Sequence, residues 1–182
     1  ISNDNIAALC KALNSDDSSE RLTAQRGATK ALASIDTAPS EMNSKVIFNS
    51  GYVLGKLAPP DKMETVFETD WYKQVLEANG AACWIDDYSE GMKVTTDYAF
   101  SIIRLYRTKA VGAPDGFLIV DINYEPITKI LKNINLGKGE SSYLLTPGGK
   151  IITENGVYEK EDYSNREFIN EVRTRVSGNP SD

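Results

Sequence analysis

Gly116-Phe117-Leu118-Ile119-Val120-Asp121-Ile122 is the most apolar strand-forming run of the chain, and it limits the possible folds more than any other stretch. A run that is apolar at every position up to its aspartate is expected to lie centrally in an antiparallel sheet. The turn residues Gly112 to Asp115 precede it, and before them Tyr98 to Arg107 alternates as a long strand. Both are expected in an antiparallel sheet. In the earlier strand Phe100, Ile102 and the ring of Tyr106 are expected inside, against Ser101, Arg104 and Arg107. Asp121 is the anomaly, because a carboxylate buried without a partner is strongly unfavourable. Either a backbone or side-chain group satisfies it, or the cation of a ligand does.

The other segments supply a frame for this strand. Residues 1–38 read as helix, with Ile6, Leu9, Cys10 and Leu13 on one face and Leu22, Ala28, Leu32 and Ile35 as a second stripe. Asn14 to Ser19 is either a break that recaps at Ser18 or Ser19, or the polar face of one continuous helix. Gly27 inside it suggests a close packing contact, and Pro39 ends it. The stripe is thin and rich in small residues, which suits a helix lying along a domain or pairing with a second copy. Lys45 to Gly55 reads as strand, tight turn at Asn49-Ser50-Gly51, and strand. Met63 to Phe67 and Trp71 to Ala78 read as short helices closed by Asn79-Gly80, and Ala82 to Ile85 as a strand entering a polar loop. Pro126 opens a helix striped by Ile127, Ile130, Leu131 and Ile134 and stopped at Leu136-Gly137. A hairpin follows, Ser142 to Thr146 and Lys150 to Thr153 about Pro147-Gly148-Gly149, then an amphipathic helix from Asn165 to Val176. Helices grouped around antiparallel strands make an α+β layout.

Composition removes several classes of function. The 182 residues carry a net charge of −6 with basic residues scattered, which disfavours nucleic acid and anionic membrane surfaces. No apolar run approaches the ~20 residues of a membrane span. There is no histidine, so the usual general base, the commonest metal ligand and every Ser-His or Cys-His nucleophile are missing. No phosphate loop, CxxC or HExxH is present. The expectation is a non-enzyme with no cofactor and no metal. Cys10 and Cys83 admit one bridge or two free buried thiols. The chain opens on Ile1 within a polar stretch, with no initiator methionine or signal peptide, and is expected to be a fragment of something longer.

Both tryptophans fall in or beside two short polar segments, Asp70-Trp71-Tyr72 and Cys83-Trp84-Ile85-Asp86-Asp87-Tyr88. Aromatic faces with a few carboxylates suit a small polar ligand bearing an amine or other cationic nitrogen. The plainer readings are core packing for the tryptophans and a solvated loop for Asp86-Asp87. That acidic pair would also be the only handle for an enzyme of the paired-carboxylate kind. Asp97 and Tyr98 are possible rim residues.

In the order of these segments the chain resembles a double Cache domain, the PAS-like extracytoplasmic sensor of bacterial chemoreceptors and sensor kinases. Val46 to Gly55, Asp70-Trp71-Tyr72, Gly116 to Ile122 with Ile127 to Leu136, and Ser142 to Ile152 carry the likeness, which covers most of residues 1–155. It implies a long N-terminal helix, a distal ligand-binding lobe, a linking helix and a proximal lobe that is only partial after residue 155, either cut short or a reduced variant. The domains would be 1–38, 39–124 and 125–182. The resemblance also places a stacking pair on Trp71 and Tyr72, a further aromatic on Tyr88 and a ligand-gripping acid on Asp121. Where the amino-acid-binding members carry an arginine, two residues before the tryptophan, this chain has Thr69; Arg104 or Arg107 would then stand in. With Trp84, Asp70, Asp86 and Tyr106 added, these are the expected site residues. The implied protein is a homodimer through its N-terminal helix, held in a membrane only by helices outside this fragment. A purely structural or protein-binding domain with a vestigial pocket is the alternative.

Overall fold

A computed structural model describes residues 4–35, 41–94, 97–109, 112–134, 142–146, 149–153 and 156–157. Residues 1–123 and 124–182 form two compact units.

The first unit is built on a five-stranded antiparallel sheet. Its strands are β1 (Met42–Phe48), β2 (Val53–Leu54), β3 (Cys83–Ile85), β4 (Phe100–Tyr106) and β5 (Gly116–Ile122), in the order β2-β1-β5-β4-β3. The apolar run of β5 is central, as its sequence requires, paired along its whole length with β1 and β4. β1 turns into β2 through Asn49-Ser50-Gly51, where Gly51 takes φ +82° and donates to Phe48 O at 2.8 Å. At Gly116, opposite Phe48, a Cβ would fall 2.1 Å from Ile47 O. Only glycine lets β5 enter the sheet at this distance.

Side chains alternate across the sheet, so the pairing register sorts them onto two faces. Lys45, Ile47, Cys83, Ile85, Ser101, Ile103, Leu105, Phe117, Ile119 and Asp121 share one. Helices α3 (Met63–Glu68) and α4 (Asp70–Glu77) cover it with Met63, Val66, Trp71, Tyr72 and Val75. Val46, Phe48 and Tyr106 belong to the other face, covered by α1 (Asp4–Ala12) and α2 (Ser18–Ala33) through Ile6, Leu9, Ala28 and Leu32. The expected inside of β4 is therefore only one of two insides: Ser101, expected outward, is fully buried on the α4 side.

Residues 4–33 form a helical hairpin, the broken alternative of the two. The break recaps at Asp17 rather than at Ser18 or Ser19, because the Asp17 carboxylate accepts from Ser19 N at 2.8 Å and Glu20 N at 3.3 Å. Gly27 lets the helices approach, since a Cβ there would lie 3.0 Å from Asn5 Oδ1. The apolar stripe expected to lie along the domain or meet a second copy is buried within the chain against the sheet. Leu22, assigned to it, is 49% exposed. Both cysteines are free, Cys83 buried and Cys10 half-buried.

The second unit contains α5 (Tyr124–Asn133) and a three-stranded sheet, β6 (Tyr143–Leu145), β7 (Ile151–Thr153) and β8 (Gly156–Val157). Pro126 sits in the first turn of α5. Leu131 is buried, whereas Ile130 and Ile134 of the expected stripe are exposed. The expected helix over Asn165 to Val176, the breaks at Pro39 and Leu136-Gly137, and Pro147-Gly148 lie outside the described residues.

Leu9 is fully buried between the hairpin and the sheet. Leu9→Ala is expected to cost about 2–5 kcal/mol and Leu22→Ala no more than about 0.5 kcal/mol, measured by urea unfolding of the purified chain. Equal losses would mean that the stripe is not packed as described.

Candidate functional site

Beneath α4 the core contains four polar groups that touch one another. Asp121 on β5 lies directly opposite Ser101 on β4. Ser101 Oγ donates to Asp121 Oδ1 at 2.8 Å. Lys45 pairs in register with Ile119, one step diagonal to Asp121 on the same face, and its Nζ forms an ion pair with Asp121 Oδ2. Tyr88, three residues past the end of β3, reaches in from the loop. Its hydroxyl donates to Asp121 Oδ2 at 3.1 Å and accepts from Lys45 Nζ at 2.9 Å. All four residues are sealed, none more than 1% exposed.

Aromatic rings adjoin this cluster. Trp71 meets Tyr88, Phe117 and Tyr72 edge-on at 6.1, 5.5 and 5.9 Å, and Tyr72 packs on Phe67 at 5.1 Å and Phe117 at 5.7 Å. Tyr98 stacks on Tyr88 at 5.1 Å. The loop carrying Tyr88 is tied down at several points. Trp71 Nε1 donates to Glu90 O at 3.0 Å, Tyr88 N donates to Tyr98 Oη at 3.2 Å, and Asp87 Oδ1 accepts from Ser89 N at 2.7 Å. Gly91, at φ +76°, lies against the Val66 backbone.

Of the residues expected to form a site, Trp71, Tyr72, Tyr88 and Asp121 are thus brought together, and the others are not. Trp84 and Tyr106 belong to the opposite face of the sheet. Trp84 is 45% exposed and stacked on Phe100 at 4.4 Å. Tyr106 is packed against Phe48 in the hairpin core, and burial, with the Cys10, Asp115 and Asp4 charges behind it, pushes its hydroxyl up to about 12. Arg104 shares that face and is exposed. Arg107 donates to Asn79 at 3.0 Å. Asp70 is exposed beside Lys73, 2.9 Å away, and Asp86 is half-buried at the start of the loop. Strand parity separates Arg104 and Tyr106 from Ser101, which a list of suitable residue types does not take into account.

Thr69 is committed elsewhere. Its hydroxyl caps α4, accepting from Tyr72 N at 3.3 Å and donating to Val66 O at 2.7 Å. Two members escaped the sequence reading, Lys45 and Ser101. Lys45 has the same parity as Ile47 in a strand facing the core, so its charge had to be compensated inside. Asp121 was the one complementary charge in the neighbouring apolar strand.

The sequence matches no family model and no curated protein. Among solved structures it is similar to two of the Campylobacter jejuni chemoreceptor Tlp3. One is the ligand-binding domain in complex with 4-methylisoleucine, at 19% identity and TM-score 0.47 over 88% of this chain and 65% of that one. The other is the sensory domain with isoleucine bound, at 18% identity and TM-score 0.46 over 92% and 63%. The chain spans somewhat under two thirds of the length of both.

Burial, with the Asp121 charge second, raises the Tyr88 hydroxyl well above its usual range, and burial likewise raises Tyr98. A group whose folded pKa is raised contributes stability that is fully present below its unfolded value, near 10, and lost as pH climbs towards the folded one. The urea midpoint is therefore expected to fall between about pH 9.5 and 11.5, and Tyr88→Phe to flatten part of that fall. An identical slope in wild type and variant would count against the sealed tyrosine.

Proposed function

We propose that this chain is the extracytoplasmic small-molecule sensor domain of a transmembrane signalling receptor, a chemoreceptor foremost, and that its ligand is a small amine or amino-acid-like metabolite. The binding site in this reading is the Lys45, Tyr88, Ser101 and Asp121 cluster with Trp71 and Tyr72 above it. One observation carries the proposal: a charged, hydrogen-bonding group of four residues is built into the middle of an apolar core, beneath a short helix and a loop. A core selected for stability alone gains little from such a group, since hydrophobic residues of similar volume stabilise as well or better. The aromatic neighbours and the overlying loop are what a small polar ligand needs for orientation and for exclusion of water. The sequence resemblance to Cache domains supports the same assignment.

The self-sufficiency of the cluster favours a second reading, a structural or protein-binding domain with a vestigial pocket, because each Asp121 oxygen already has protein partners. A thermal-shift screen separates the two, with amino acids, amines, purines, pyrimidines and small carboxylic acids as probes. A ligand at about 100 times its Kd adds about 2.7 kcal/mol, expected as a rise of roughly 5–10 °C for a chain of this size. Asp121→Asn or Ser101→Ala is expected to reduce that rise. No shift with any probe would support the vestigial reading.

A further inference from the structure

Among the described residues Lys45 and Asp121 are the two buried charges. They neutralise each other in a space closed to solvent. A ligand engaging Asp121 therefore enters a site whose carboxylate is already occupied, and the need to keep buried charge balanced limits what that ligand is. A simple amine arriving at Asp121 leaves two cations on one carboxylate, or leaves the Lys45 ammonium buried with no anion. Either outcome places an uncompensated charge in the core. A lone carboxylate arriving at Lys45 creates the mirror problem at Asp121. A molecule carrying both charges creates neither: its cation takes Asp121, its anion takes Lys45, and the buried sum remains zero before and after.

We infer that Lys45 is an internal occupant of the Asp121 site, whose ammonium holds the place of a ligand's cationic nitrogen and turns to the ligand's anion on binding. This rests on the sensor reading above and adds the residue that sets its selectivity. The geometry suits the exchange. Lys45 is a flexible four-carbon chain anchored on β1, diagonal to Asp121 rather than opposite it, so its ammonium can turn away from Asp121 about its own side-chain torsions. The Tyr88 hydroxyl, bonded to both Lys45 and Asp121, keeps a partner when the two separate. The two arginines the sequence offered as anion holders lie elsewhere, Arg107 on Asn79 and Arg104 on the far face of the sheet. Lys45 thereby closes the site to simple amines.

The experiment uses the purified chain and three matched sets of probes: L-amino acids, the primary amines obtained by removing their carboxylate, and the carboxylic acids obtained by removing their amine. Binding is read by thermal shift and calorimetry. Wild type is expected to take members of the first set and to bind the corresponding amines and acids roughly 100-fold more weakly or worse. Lys45→Met is expected to reverse the preference, with primary amines now stabilising the protein because they supply the missing cation. The charge-balanced double variant Lys45→Met with Asp121→Asn is expected to fold and to bind none of the sets.

Wild type binding amines as tightly as amino acids, or Lys45→Met retaining the wild-type preference, overturns the inference. The sensor reading survives that result provided binding remains sensitive to Asp121→Asn. No response of wild type to these probes or to the wider panel removes both readings. If Lys45→Met folds only with a primary amine present, that rescue is the expected result. If it folds under neither condition, the double variant decides, and its binding amino acids like wild type overturns the inference.

Discussion

A lysine ammonium and an aspartate carboxylate, closed off from water between two neighbouring strands, set conditions that the rest of the first unit has to meet. Neither charge is tolerable alone in that environment. The register between β1 and β5 must hold them diagonal on one face, because a slip of one residue would send Lys45 to the hairpin side and leave Asp121 without its counter-ion. Ser101 and Tyr88 then supply the remaining hydrogen bonds, each to a different part of the carboxylate. For Tyr88 to reach in, the loop after β3 has to fold back over the sheet, and Trp71 and Tyr98 hold it there. An electrostatic requirement at one point thus propagates into strand register, loop path and aromatic packing.

The two faces of the sheet meet different demands. The hairpin face is an ordinary apolar contact, small residues of α2 and leucines of both helices on Val46, Phe48 and Tyr106. The other face mixes a polar cluster with large rings, an arrangement that is costly to build and easy to perturb. The binding chemistry proposed above belongs to the second face.

Much of the scaffold was legible in the sequence because it rests on local signals. The central position of Gly116–Ile122 followed from an apolar run, the β1–β2 turn from Asn49-Ser50-Gly51, and the two short helices from their spacing and from Asn79-Gly80 behind them. The hairpin break at 14–17 was legible only as one of two options, since a polar helix face and a capped break use the same residues. The candidate site was half legible. Trp71, Tyr72, Tyr88 and Asp121 announce themselves by type, and they do converge. Lys45 and Ser101 do not, because their significance lies in the parity of strands far apart in sequence. The inverse error grouped Trp84, Arg104 and Tyr106 with this cluster, since residue type says nothing about which side of a sheet a side chain occupies.

β1 follows the hairpin in the chain and alternates between the two cores, with Lys45 and Ile47 turned to the cluster and Val46 and Phe48 turned to α1 and α2. A strand of this kind is a shared wall. Two adjoining compartments have no independent adjustment when the partition between them is a single extended backbone with buried side chains on both surfaces. A tilt of that partition by a few tenths of an ångström on one side is met on the other by buried leucines, Leu9 and Leu32, packed directly against it. The helical hairpin is therefore mechanically exposed to the state of a lysine it never touches.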